Sequence, residues 1–307
     1  MITTVCMNPS FDKTASVEHF TVGGLNRLSD VRSDLGGKGI NVAVVLGRLG
    51  VEAACVGCLG MTDEQEFMAM VHAENLRFRY LRVHGQTRTN LKILDLETRA
   101  VTEFNEPGLT LTEEQLTEFI ALLQAEAGDS RFMVFSGSLP IGCREDTYRR
   151  CMAAMEGKNC VLDTAGESLL LGLQEKPFLI KPNLPELEGL MGKELKTLRS
   201  IRDAAIQLIA RGARNVIVSM GKYGAIYTDG KRTLFAPAVQ VEACSTVGAG
   251  DAMVGGVLMG LDRGETLEDS LRYGVAAGCA SVMTDGTQLL KVSDFETLVP
   301  KVALQEL

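Results

Sequence analysis

Histidine is scarce in this chain: only His19, His72 and His84 occur, and none sits in a stretch that otherwise carries polar motifs. A Ser-His-Asp arrangement or a histidine-rich metal site is therefore not expected, and each histidine reads as a surface or edge residue. Long apolar runs are missing too. None approaches the roughly 20 residues that cross a bilayer, and the opening "MITTVCMNPS" lacks the basic segment of a secretory leader. Positive charge is in deficit, with 31 Lys and Arg against 39 Asp and Glu and a net charge of −8. That balance argues against a nucleic-acid or anionic-membrane partner, so an anionic ligand must meet a local basic pocket. The eight cysteines form no framework; Cys6, Cys55 and Cys160 lie in apolar runs, as reduced buried thiols do. "CVGC" at Cys55–Cys58 has neither the second pair nor the histidines that zinc requires. Pro/Ser-rich linkers, low-complexity tracts and internal repeats are absent as well, so the 307 residues read as one domain of a cytoplasmic protein.

What is present is alternation. The runs "ITTVCM", "AACVGCL", "RFMVFSG", "NCVLD", "FLIKPN" and "NVIVSMG" have the character of buried parallel strands. Between them lie amphipathic segments such as Asp63–Asn75 and Thr112–Ala127, the latter opening with the capping box "TEEQ". This order predicts an α/β fold with a mostly parallel sheet covered by helices. Thr14–Leu35 and Thr87–Asn105 instead alternate with period two and predict small antiparallel strands, a β flap beside the main sheet. An apolar flap edge needs covering, and a homodimer pairing flap on flap would cover it. Ligands of open parallel sheets gather beyond the carboxyl ends of the strands. "NPSFD", "SGSLP", "KPNLPE" and "SMGKYGA" all follow predicted strands and should converge there.

Two glycine-rich stretches stand out. "STVGAGD" leads into the apolar run "AMVGGVLMGL", which predicts a helix N-terminus around Gly248, Ala249, Gly250 and Asp251. Unpaired backbone N–H groups and the positive dipole end make such a place an anion hole. Donors of that kind would keep Asp251 ionised and able to accept a proton from a hydroxyl; alternatively Asp251 simply caps the helix. "DLGGKGIN" places Gly37, Lys38 and Asn41 at a second helix start, fit for a hydroxylated or phosphorylated ligand. It is not a Walker A loop, because Arg32 stands where the first glycine is required, and no dinucleotide fingerprint follows any strand. "KPNLPE" offers Asn183 and Glu186 as oxygen groups for magnesium acting through water, or as an ordinary loop and helix start. Arg27 and Arg88 lie on the flap segments, and Ser136 and Ser138 could donate to the same anion as these guanidiniums.

Taken together, "GGKGIN" and "STVGAGD" resemble the two signatures of the ribokinase-like (PfkB) carbohydrate kinases, and the resemblance covers essentially the whole chain. "MNPSFDKT", "TRTN", "TEFNEPG" and "KPNLPEL" are most similar to the branch of 1-phosphofructokinases and tagatose-6-phosphate kinases. The resemblance implies a three-layer α/β/α fold with a β lid, with ATP and Mg2+ as cosubstrate and cofactor and a small sugar phosphate as acceptor. It implies Asp251 as catalytic base beside the anion hole of Gly248, Ala249 and Gly250. Asp12, Gly37, Lys38 and Asn41 would hold sugar hydroxyls, and Arg27, Arg88 and Ser138 the existing phosphate. Lys181, Ser219 and Gly221 would lie along the nucleotide, with Asn183 and Glu186 serving magnesium. Many relatives carry Asp or Asn before the signature threonine; Ser245 stands there here. A sugar or nucleoside kinase acting on an unphosphorylated substrate is the rival among enzymes, and a catalytically idle sugar-phosphate sensor the rival outside them.

Overall fold

The first strand, β1 (Ile2–Cys6), is buried at every position and shows how the molecule is layered. Ile2 and Cys6 face one apolar core, while Val5 faces a second. A strand with two apolar faces belongs in the middle of a sheet covered on both sides. The computed structural model describes residues Met1–Leu307. In chain order the remaining elements are β2 (Ser10–Val17), β3 (Ser29–Gly36), α1 (Lys38–Arg48), β4 (Ala53–Gly60), α2 (Glu64–Ala73), β5 (Arg77–Val83), β6 (Arg88–Asp95) and β7 (Val101–Asn105). There follow α3 (Glu113–Ala127), β8 (Phe132–Ser136), α4 (Thr147–Ala153), β9 (Asn159–Asp163), α5 (Gly166–Gly172), β10 (Leu179–Ile180), α6 (Leu184–Met191), α7 (Leu198–Ala210) and β11 (Val216–Ser219). The last are β12 (Ala225–Thr228), β13 (Thr233–Ala236), α8 (Ala249–Asp262), α9 (Leu267–Val282), α10 (Val292–Leu298) and β14 (Gln305–Glu306).

Ten strands form the main sheet in the order β14-β13-β12-β11-β10-β9-β8-β1-β4-β5. From β5 to β11 every pairing is parallel, and the three pairings beyond β11 are antiparallel. Helices α1, α2, α8, α9 and α10 bury their apolar residues on one face of the sheet, and α3 to α7 on the other. α3 begins with the expected capping box, in which Thr112 and Gln115 satisfy each other's backbone N–H. No helix is long and apolar enough to cross a membrane. The three histidines are exposed, and no cluster of His, Cys, Asp and Glu side chains forms a metal-binding group. All eight cysteines are free thiols; burial pushes those of Cys55 and Cys58 well above the usual range, as inert core groups.

The flap is a separate four-stranded sheet in the order β3-β2-β6-β7. Its two outer pairings are antiparallel as expected, but the central pair, β2 with β6, is parallel. β2 follows β1, and β6 follows β5, which runs parallel to β1 in the same sheet. Both segments therefore leave the carboxyl end of the sheet heading the same way, which overrides the antiparallel expectation. The flap also starts earlier than its periodicity predicts, at Ser10, so its first turn reaches directly into the cleft beyond the sheet.

Helix α8 crosses beneath this cleft, buried from Asp251 to Gly260. A Cβ at Gly256 would lie 2.5 Å from the carbonyl oxygen of Tyr273, so the glycine is what lets α8 and α9 approach so closely.

Candidate active site

The N-terminus of α8 is capped by Gly248 in the left-handed region, at φ 74°, and no side chain caps it. Asp251 is thus not the cap but a first-turn residue, and Ala249, Gly250 and Asp251, which line the cavity, carry N–H groups that an α-helix leaves without an intrahelical partner. Asp251 is buried, and its Oδ2 accepts a hydrogen bond from Asn41 Nδ2 at 2.8 Å. Burial raises its pKa from the ordinary 3.8 to about 6, while Lys38, Asn41 and Lys181 pull it back down and Asp163 pushes it up. The sequence pointed to a carboxylate held comfortably ionised. Desolvation wins instead, because the hydrogen bond that supports the carboxylate comes from the Asn41 side chain and no helix N–H adds to it.

Around this turn stand two ammonium groups sharing one carboxylate. Asp163, at the carboxyl end of β9, is buried, and its Oδ1 lies 3.4 Å from both Lys38 Nζ and Lys181 Nζ. Burial would raise the Asp163 pKa, but Lys181 and Lys38 outweigh it and hold the group below the usual carboxylate range. Lys38 is itself held above the ordinary lysine value: burial opposes its charge, and Asp163, Asp251 and Glu186 more than offset that. Lys181 points at the helix start, since a Cβ on Gly250 would sit 3.2 Å from its Nζ. Two fixed cations and a helix N-terminus converging on one point make a strong anion site. Asp163 was not among the residues singled out from sequence, although its place at a strand end was the available signal.

On the flap side the wall is Asp12, Asn90 and Arg88, with Gly37 and Asn41 below. Ser10 Oγ and Asn90 Nδ2 donate to Asp12 Oδ1 at 2.7 and 2.9 Å, and Lys92 Nζ lies 3.1 Å from Asp12 Oδ2. Arg88 donates to the Asn8 carbonyl at 3.1 Å, yet its Nε is buried without a partner. On the opposite side Ser219, Gly221 and Lys222 meet an apolar slot of Val239, Val241, Val275 and Cys279. Flap wall, helix turn and slot line one cavity of about 560 Å3, within the range of small-ligand sites.

Most of the residues picked out from sequence meet in this cavity: Asp12, Gly37, Lys38, Asn41, Arg88, Lys181, Asn183, Ser219, Gly221, Gly248, Ala249, Gly250 and Asp251 all line it. Four do not. Arg27 is exposed on the β2–β3 connection, Ser136 is buried at the end of β8, and Ser138 is exposed and accepts a hydrogen bond from Asn8. Glu186 forms a reciprocal capping box with Asn183 at the start of α6, each side chain accepting the other's backbone N–H at 2.8 Å. Asn90, Lys92 and the apolar slot were missed; the slot residues look like ordinary core in the sequence.

The profile of the pfkB family carbohydrate kinases matches residues 6–293. The chain belongs to that family. The 1-phosphofructokinase of Bacillus subtilis (strain 168) is 36% identical over 311 residues, covering 100% of both proteins. Phosphofructokinase-2 from Escherichia coli superposes with a TM-score of 0.92 at 30% identity over 98% of each chain. The ribokinase of Thermotoga maritima shares the fold, with a TM-score of 0.82 over 98% of this chain and 99% of that one. This pfkB-family protein is therefore an ATP-dependent sugar kinase of ribokinase-like fold. The oxygen groups fit a magnesium ion carried on nucleotide phosphates: Asp163 Oδ2 is buried without a partner, and Glu186 spends one carboxylate oxygen on its cap and keeps the other. Magnesium needs no all-protein cage of ligands, since it keeps several waters.

Proposed function

We propose that this kinase transfers the γ-phosphoryl group of ATP to the free primary hydroxyl of fructose 1-phosphate, giving fructose 1,6-bisphosphate and ADP. The observation that carries the reading is Asp251, a buried carboxylate on the first turn of α8 between an anion site and the polar flap wall. The full-length likeness to a 1-phosphofructokinase supports the choice of acceptor.

In this reading Asp251 takes the proton of the acceptor hydroxyl as the hydroxyl oxygen bonds to phosphorus and the bond to the ADP oxygen breaks. A pKa of about 6 leaves it ionised at neutral pH yet basic enough to accept the proton. The transferring group passes through a loose, in-line transition state, so positioning and charge stabilisation matter more than base strength. Lys38, Lys181 and the N–H groups of Ala249 and Gly250 face that charge. Magnesium, when bound with ATP, neutralises the phosphate oxygens; Asn183 and Glu186 would hold it through water, beside Asp163. Asp12 and Asn41 hold sugar hydroxyls, Arg88 the existing phosphate, and the apolar slot the base of the nucleotide. The reaction draws on cytoplasmic ATP and sugar phosphate. The flap leaves Val22 86% and Leu25 78% exposed, with Val101 and Phe104 also uncovered. Such a patch fits a homodimer pairing flap on flap, with Arg27 on the pairing surface.

The test is ATP-dependent ADP release with fructose 1-phosphate, tagatose 6-phosphate, fructose 6-phosphate and free fructose side by side. A kcat/KM for fructose 1-phosphate at least about tenfold above the others, or about 1.4 kcal/mol in transition-state binding, supports the assignment. Preference for fructose 6-phosphate would follow the structural likeness to phosphofructokinase-2 instead. Turnover of free fructose alone would remove Arg88 from the acceptor site.

A further inference from the structure

The wall that faces the sugar contains a charge arrangement that its role in binding does not by itself explain. Asp12 on β2 lies directly opposite Asp34 on β3, and beside Asn90 on β6. Two carboxylates facing each other across paired strands repel. Each has its own cation: Arg32 Nε lies 2.9 Å from Asp34 Oδ2, and Lys92 Nζ 3.1 Å from Asp12 Oδ2. The two pairs differ in kind. Arg32 and Asp34 are partly exposed, whereas Asp12 and Lys92 are 5% and 7% exposed. Lys92 does not line the cavity; it stands behind Asp12, which does, as does Asn90.

The hydrogen bonds fix what this wall can offer. An ionised carboxylate has about four acceptor sites, and Asp12 spends two on Ser10 and Asn90 through Oδ1 and one on Lys92 through Oδ2. What remains is on Oδ2. Because Asp12 can only accept, Asn90 must present its amide nitrogen there, which leaves Asn90 Oδ1 as the free end; that oxygen is buried and without a partner. Asp12 and Asn90 both line the cavity, so the wall keeps spare acceptor capacity beside it, on Asp12 Oδ2 and Asn90 Oδ1, suited to the donating hydrogens of neighbouring sugar hydroxyls.

We propose that Lys92 is a positioning residue for acceptor recognition, holding Asp12 and through it Asn90 as a fixed two-acceptor wall without touching the sugar. The inference rests on the reading of Asp12 as a sugar-binding group. Removing the ammonium leaves a buried carboxylate without its counterion opposite a second one, an arrangement proteins avoid, so Asp12 must turn away and Asn90 loses one of the two bonds, to Asp12 and to Ser10, that orient it.

Steady-state kinetics with ATP and fructose 1-phosphate test this on Lys92→Met, Lys92→Arg, Asp12→Asn and the Asp12→Asn/Lys92→Met double variant. Lys92→Met should raise KM for the sugar about tenfold or more while kcat changes by less than about threefold and KM for ATP by less than about twofold. Lys92→Arg should restore the sugar KM to within about threefold of the wild type. The double variant should be no worse than Asp12→Asn alone, since Lys92 acts through Asp12. An unmoved sugar KM in Lys92→Met overturns the proposal, and so does a double variant whose losses multiply. The double variant carries no unpaired buried charge, so it decides the matter even if Lys92→Met does not fold. Absence of wild-type turnover on every ketohexose phosphate sinks the functional reading itself; wild-type turnover with an indifferent Lys92→Met sinks only the role of Lys92.

Discussion

Asp251 shows what one residue's surroundings can do. Asp251→Asn should lower kcat by several orders of magnitude while leaving KM for ATP within about threefold, because only the proton acceptor is lost. The activity of the wild type should fall as pH drops through about 6, where the base becomes protonated, and the same substitution reads out a second consequence. A folded pKa raised above 3.8 means that the native state binds the extra proton, so this group's stabilising contribution is complete below about pH 4 and is lost as pH rises through about 6. Asn, which needs no proton, should therefore make the protein more stable than the wild type at pH 7.5, by up to about 3 kcal/mol. Denaturant melts of both proteins at pH 4 and 7.5 check this: the difference should shrink at the lower pH. The place of Asp251 at a helix start was legible because "TVGAGD" precedes an apolar run. Asp163 was not, because its partners Lys38 and Lys181 join it only in three dimensions and "NCVLD" reads as a strand with a polar end.

Among the elements, the start of α8 carries the sharpest expectation. Gly250→Ala adds a methyl group 3.2 Å from Lys181 Nζ, at a helical position where alanine is the better helix former. It should leave the thermal midpoint unchanged or higher and yet cut kcat at least about tenfold, because the methyl intrudes where the transferring phosphoryl must sit. Turnover near the wild-type value would remove this turn from the chemistry. By contrast Thr112→Ala dismantles the capping box of α3, outside the cavity lining, and should cost about 1 kcal/mol in a denaturant melt with activity intact. The six parallel strands named from sequence were readable because buried strands are continuous apolar runs. β5 was not, since as an edge strand it alternates Arg77, Arg79 and Arg82 with apolar residues. The parallel centre of the flap was unreadable for another reason: strand direction depends on which end of the main sheet each segment leaves, and local periodicity does not record that.

At the scale of the whole molecule the uncovered flap is the feature on which the proposed dimer rests. Sedimentation of the wild type at micromolar concentration should give a dimer, and the Leu25→Asp/Phe104→Asp pair, both at exposed positions, should give a monomer that remains folded. A wild-type monomer at that concentration would count against flap pairing. The cavity has a further property that follows from its order along the chain. The flap wall is made by residues up to Asn90, whereas the apolar slot is made by residues from Val239 onward. Asn41 and Lys38 on one side and the turn of α8 on the other are where these two contributions touch. On the proposed assignment, choice of acceptor and grip on the donor are written in separate parts of one polypeptide, so either can change while the other stays as it is. A chimera that takes its first hundred or so residues from a relative of different sugar preference should inherit that preference and keep its own nucleotide.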